Sequence, residues 1–386
     1  MKDGKKLTAS QREPVKTFEG HKKLITSIAT FPDDKRIATG SVDKTIRIWK
    51  VEDGREMKKW VMKKSISAMA ILRNGTQVVS AVGDTDGTFT DEDLDKTVYW
   101  QLWVHDTRTG RVVAGLLDGH TNMVSALDIF PDGSILASGS FDRTVILWDT
   151  TTWQRKGRPL KCEAHVIRVQ FSPTGQLLGV ASEGASCRRE RLGQFKGHTK
   201  FNGSWNRSLT WTRDGVHLLS AGNSSDPVIR SWNTSTWTQA GHPWTGHNKE
   251  IIHILLNPAG TLLASASTDN TVRLWQLATG IEVSRYEHSH AVLRVAFSVD
   301  GCFIFGADED GKTLQWEIPE DILAAARDAL VREVKTEVTT FNYYSMHELS
   351  APIQGRSFTQ KSKCNTKAFL DVCGFLVTIR CFLTRS

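Results

Sequence analysis

The stretch GHTNMVSALDIFPDGSILASGSFDRTVILWDT, residues 119–150, decides the fold. It opens on Gly119-His120 and runs through alternating apolar residues to a Pro131-Asp132-Gly133 turn. It then passes Leu136 to Ser140, turns again at Asp142, and alternates from Thr144 into Trp148. Short alternating runs punctuated by turn residues read as strands. Within it, Ser140, Asp142 and Trp148 follow His120 at offsets of 20, 22 and 28 residues. The same offsets separate His21, Ser41, Asp43 and Trp49, and again His247, Ser267, Asp269 and Trp275. A catalytic set is needed once; three copies argue for architecture, and so for an internal period.

The Trp residues give that period. Trp232 to Trp275 is 43 residues and Trp275 to Trp316 is 41. Trp148 to Trp232 is 84, two such units, and Trp49 to Trp148 is 99, two units with about 15 residues to spare. On these spacings and on the quoted stretch, residues 14–318 resemble the WD-repeat β-propeller family. The resemblance implies an all-β, seven-bladed propeller of four-stranded blades, with a short C-terminal helix and an irregular tail. It also implies that Asp, His, Ser and Trp form a buried hydrogen-bonded chain, the Trp N–H being only a donor and the Asp carboxylate only an acceptor. His paired with Asp is also triad geometry, but a repeated set that ends each time on a large aromatic fits a structural clamp.

Seven units are expected, with complete tetrads in the first, third and sixth. The fifth is read as His198, Ser224, Asp226 and Trp232 around an insertion near 202–206. The second keeps Asp95-Lys96-Thr97 and leads to Trp100 or Trp103. The fourth lacks its Trp, whose place falls near Arg189. The seventh keeps Asp310 and Trp316 without Gly-His. By resemblance, residues 14–18 supply the outer strand of the last blade. The expected layout is therefore a basic N-terminal arm (1–13), the propeller (14–318), an amphipathic helix (319–338) and an irregular or disordered tail (339–386). In the helix, Ile322, Ala326, Leu330, Val334 and Val338 form one apolar stripe.

Composition narrows the function class. The chain has 386 residues, 39% of them hydrophobic, and a net charge of +7. That charge sits at the ends: residues 1–16 carry +3 and residues 322–386 carry +4, which leaves the ring about neutral. The apolar runs are interrupted by charges, so no membrane span is expected. The N-terminus has no apolar core of the kind a secretory signal needs. Six scattered Cys without a Cys-x-x-Cys pair fit reduced thiols, hence an intracellular protein of cytoplasm or nucleus, and no zinc.

Residues 83–95, GDTDGTFTDEDLD, resemble two catalytic or metal motifs and fit neither. Asp84-Thr85-Asp86-Gly87-Thr88 looks like the nucleophile motif of a metal-dependent phosphatase, a chemistry that needs a parallel α/β sheet. As a calcium loop, its Gly87 falls at position 4 rather than 6. A loop insertion in the second blade is the plain reading. No catalytic residue, cofactor or metal is expected.

The resulting expectation is a non-catalytic scaffold that recognises proteins or peptides within a larger assembly. The alternatives are a nucleic-acid-associated scaffold using the basic tail and, last, the phosphatase. The resemblance places the partner on the top face, at residues just after Gly-His (Lys22, Lys23, Thr121, Asn122, Lys200, Asn248, Lys249) and just before the turn Asp (Val42, Phe141, Ser225, Thr268, Glu309). Phe141 is the expected aromatic anchor, and the four Lys favour an acidic or phosphorylated peptide.

Overall fold

The computed structural model describes residues 12–83, 100–182, 193–196, 208–329 and 376–381. Their strands form seven four-stranded sheets. The first sheet sets the pattern: Ile25–Thr30, Arg36–Ser41, Thr45–Lys50 and Glu56–Val61 pair in that order as an antiparallel meander. Its two central strands are buried on both faces, because sheets stack on each side of it. Ile46 and Ile48 pack with Ile66 and Val78 of the second sheet, while Ile37 and Trp49 pack with Ala296 and Phe305 of the last.

Inner strands close the ring. Ile25–Thr30 neighbours Ser65–Ile71, and contacts continue through Val124–Ile129, Val166–Phe171, Leu209–Trp211, Ile251–Leu256 and Val292–Phe297, which returns to Ile25–Thr30. The molecule is an all-β propeller whose core lies between the sheets, in successive clusters that each draw on two neighbours.

Two sheets borrow strands from the chain ends. Lys16–Phe18 pairs antiparallel with Thr313–Glu317, so the last sheet is completed by the N-terminus. In the fourth sheet, the strand beside Leu177–Ser182 is Leu376–Cys381, which also pairs with Gly193–Lys196. A tail expected to be irregular thus contributes one strand, and in that sheet the third strand does not come from the repeat. A helix covers 320–329 up to the end of that described stretch. Its Ala326 is buried, and Ile322 and Leu323 pack beside it on Trp316 and Ile318. Among the described residues no helix is long and apolar enough to cross a membrane.

Candidate functional site

Each complete repeat assembles one hydrogen-bonded chain from two strands, the turn that joins them and the segment before the inner strand. In the third sheet, Trp148 Nε1 donates to Ser138 Oγ at 2.9 Å, His120 Nε2 meets the same Oγ at 2.8 Å, and His120 Nδ1 meets Asp142 Oδ2 at 2.8 Å. The sixth sheet repeats this with Trp275, Ser265, His247 and Asp269 at 2.8, 2.7 and 2.8 Å. The first uses Trp49, Thr39, His21 and Asp43 at 2.7, 2.8 and 2.9 Å. One tautomer satisfies every atom: Trp N–H to hydroxyl, hydroxyl O–H to His Nε2, His Nδ1–H to carboxylate.

The hydroxyl in this chain is not the expected one. Ser41, Ser140 and Ser267 lie two residues too far along the strand. Thr39, Ser138 and Ser265 take the role. The cause is register. Trp49 pairs with Ile37, so its indole reaches the next same-face residue, Thr39, and Ser41 is a further step away. Ser41 Oγ instead donates to Lys23 O at 3.0 Å and accepts from Asp43 N at 3.0 Å. Ser140 and Ser267 make the same pair of bonds, with Asn122 and Asp142 and with Lys249 and Asp269. These serines pin the turn to the loop before the inner strand. Two hydroxyls at period 2, as in Leu-Ala-Ser-Gly-Ser, were the signal; counting back from the Trp along the ladder separates them.

The turn Asp is fully engaged. Asp142 Oδ1 accepts from Thr144 Oγ1 at 2.6 Å and from Thr144 N at 2.8 Å, and Oδ2 also takes Thr121 N at 3.0 Å. Burial by itself raises this carboxyl, but the bonds from His120, Thr144 and Thr121 with the His120 charge outweigh it and hold the pKa at about 2. Asp43 and Asp269 are lowered in the same way against their own burial. Burial lowers the pKa of His247, which favours the neutral ring that the chain requires. The Gly of Gly-His has a steric reason: a Cβ on Gly246 would stand 2.6 Å from Arg273 Nη1 and 2.9 Å from Trp275 Cη2. Such locked groups offer no nucleophile and no vacant base.

The incomplete units depart from expectation individually. In the second sheet neither Trp100 nor Trp103 takes the clamp position. His105 pairs with Val78 as Trp49 pairs with Ile37, and it stacks on Trp60 at 5.2 Å and 20°. In the fifth, Trp232 Nε1 donates to Ser220 Oγ at 2.8 Å. Ser224 lies past the strand His217–Ala221 in a turn two residues longer than the others, while Asp226 meets Arg230 at 2.5 Å. His198, Lys200, Asp95 to Thr97, Arg189, the Asp84–Thr88 motif and the insertion near 202–206 lie outside the described residues.

In the seventh, His288 was missed because Glu287 precedes it, yet it stands 28 residues before Trp316. The hydroxyl position there is Gly306. Buried Trp316 Nε1 and both His288 nitrogens accordingly have no hydrogen-bond partner, and Asp308 Oδ2 is 3.5 Å from His288 Nδ1.

The expected partner residues gather along one rim. Val42 N donates to Leu24 O, Phe141 N to Met123 O, Thr268 N to Glu250 O and Glu309 N to Ala291 O, so the same two loops meet in these four sheets. Lys22, Lys23, Thr121, Asn122, Ser225, Asn248, Lys249 and Glu309 are exposed; Val42 and Thr268 are half-buried. Phe141 is half-buried too, and its ring stacks on His165 of the next sheet at 5.2 Å and 8°. The ring thus spans a seam between two sheets. Lys22, Lys23, Lys44 and Lys63 are exposed and make no ion pair among the described residues. Among those residues no group of three or more His, Cys, Asp or Glu is arranged to hold a metal ion.

Comparison with known proteins agrees with this geometry. The model of the WD domain, G-beta repeat, matches residues 12–50, 111–149, 238–276 and 281–317. Protein hir1 of Schizosaccharomyces pombe is 25% identical over 336 residues, which cover 76% of this chain and 36% of that protein. A guanine nucleotide-binding protein subunit beta of Zea mays is 23% identical over 317 residues, 78% of this chain and 70% of the subunit. Periodic tryptophan protein 2 of Arabidopsis thaliana is 29% identical over 227 residues, 58% of this chain and 25% of that protein. The chain thus spans only about a third of the hir1 length and a quarter of the last relative. The matched segments include the three complete His–Asp–hydroxyl–Trp chains and the unit that ends at Trp316: the chain belongs to the WD40 repeat family.

Proposed function

We propose that this protein is a non-catalytic, intracellular scaffold that binds an acidic or phosphorylated segment of a protein partner on the rim formed by the Gly-His loops. In this reading residues 14–318 are one seven-bladed ring, and the fourth blade is the atypical member. The observation that carries the proposal is the group Lys22, Lys23, Lys44 and Lys63, exposed and without ion pairs among the described residues on the rim of the first two sheets. Unpaired ammonium groups on a rigid backbone meet carboxylate or phosphate with little ordering cost. The three complete tetrads support it from the other side, since the His and Asp of each are bonded within a buried chain rather than left open as a base.

The test is affinity purification with mass spectrometry from cells, comparing the wild type with Lys22→Glu/Lys23→Glu. A partner that is recovered with the wild type and lost with the variant, while thermal melting is unchanged, is the expected result. Recovery of the same partners by both proteins refutes this rim as the site.

A further inference from the structure

We propose that the central channel holds a second site, for a small phosphate-bearing anion, built by Arg168, His253 and Arg294 and reached from the cavity at one end of the channel. The argument begins with register. Six inner strands carry a bulge at the same place, and the first residue after it is Ser27, Ala68, Ala126, Arg168, His253 and Arg294 in turn. Ser208 is the fifth sheet's counterpart, because it precedes Leu209, which faces Ser220 as Ile28 faces Thr39. One tier of the channel wall is thus small in four sheets and large and basic in the other three. An even ring of small residues would serve packing alone; the large basic residues come from the fourth, sixth and seventh sheets, with Ser208 of the fifth between them.

Two side chains of this tier, Arg168 and His253, hold buried donors without an acceptor, while Arg294 Nη1 donates to Leu293 O at 2.8 Å. Arg168 has no hydrogen bond or ion pair among the described residues, and its Nε is fully buried. His253 Nδ1 accepts from Val295 N at 3.3 Å, which puts the proton on Nε2; that atom is buried with no partner. Arg168 and Arg294 both lie close enough to His253 to depress its pKa, after the larger effect of its burial, so the ring stays neutral and remains a donor. Arg168 is half-buried with its Nε shut off from water, and a guanidinium, which cannot shed its charge, gains from an anion there. The nearby acid, Asp128, acts on Arg168 through space but forms no ion pair with it among the described residues; its Oδ2 takes Phe171 N at 2.7 Å, and burial raises its pKa to about 6.

Access comes from the next tier. Asp128, Gln170, Thr210 and Leu255, each two residues beyond a tier member, line a cavity of about 440 Å³ together with Arg73. That volume suits a small molecule rather than a peptide, and Gln170 Oε1, also buried without a partner, belongs to an amide that can turn its NH₂ toward an anion.

Titration calorimetry and thermal melting of the whole chain test the site, with inorganic phosphate and inositol hexakisphosphate as probes and KCl holding ionic strength constant. Saturable binding of either probe with a rise in Tm is expected, and which probe binds separates a free ion from a multiply phosphorylated molecule. Arg168→Gln should weaken that binding by about tenfold or more, whereas Lys22→Glu/Lys23→Glu should leave it unchanged, which keeps this site distinct from the rim. Should Arg168→Gln not fold, Arg168→Lys, which keeps the charge and loses the planar fork, is expected to show the weakening instead. No saturable response of the wild type to either probe, or wild-type affinity in the folded Arg168 variant, overturns the proposal.

Discussion

At the scale of single residues, the two hydroxyls of each repeat have different duties and should fail differently. Ser138→Ala leaves buried Trp148 Nε1 and His120 Nε2 unpaired, which should cost about 2–3 kcal/mol. Ser140→Ala removes only the link between the turn and the Asn122 loop, about 1 kcal/mol. Urea unfolding of the pair measures both, and equal losses would contradict the assignment. Acid should act through the same chain. Asp142 has its folded pKa lowered from the ordinary 3.8 to about 2, so its contribution is complete above about pH 4 and is lost as pH falls through about 2. With some solvent screening, that contribution is on the order of 1–2 kcal/mol. Asp142→Asn should therefore be less stable at pH 7 and should flatten the decline in unfolding free energy between about pH 4 and pH 2; an unaltered slope would remove Asp142 from the acid response.

At the scale of elements, ring closure rests on a three-residue strand. Lys16–Phe18 pairs with Thr313–Glu317, and buried Phe18 packs edge-on to Trp49 at 6.0 Å and against Phe305 at 6.1 Å. The closing seam is also linked by Asp34, whose Oδ1 accepts from Val299 N at 2.7 Å and whose Oδ2 accepts from Asp300 N at 3.3 Å. Phe18→Ala should cost about 3–5 kcal/mol, and deletion of residues 1–18 should lower Tm further by also opening a sheet edge. Unchanged melting of the deletion would show that the seam holds without this strand. The helix is a smaller attachment. Ala326→Glu places a charge against Trp316 and Ile318 and should detach the helix at a cost of about 1–3 kcal/mol, read as increased protease sensitivity near residue 326. Resistance equal to the wild type would refute packing of that face.

At the scale of the whole molecule, legibility followed repetition. Alternation, turns and the Trp period carried the sheets, because every repeat restates the same local signals. What the sequence hid was relational. Ser138 and Ser140 differ only in which one the ladder sets beside Trp148; His105 takes the place of the repeat Trp only through its pairing with Val78; and the tier of Arg168, His253 and Arg294 exists only once the bulges are aligned. The fourth sheet hid most, since its third strand, Leu376–Cys381, lies almost 200 residues beyond Leu177–Ser182. A strand recruited across that distance closes a long loop, whose entropy opposes pairing, and no Trp clamp spans this sheet among the described residues. Local opening should accordingly begin here. Amide hydrogen exchange is expected to be faster in Val166–Phe171 and Leu177–Ser182 than in Ile251–Leu256 and Leu262–Ser267, whose sheet has consecutive strands and a full His247–Asp269–Ser265–Trp275 chain. Removing residues 376–386 should widen the gap by exposing the edge of Leu177–Ser182. Matching protection in the two sheets, before and after that truncation, would mean that the ring opens as one unit and that the borrowed strand adds nothing to its cohesion.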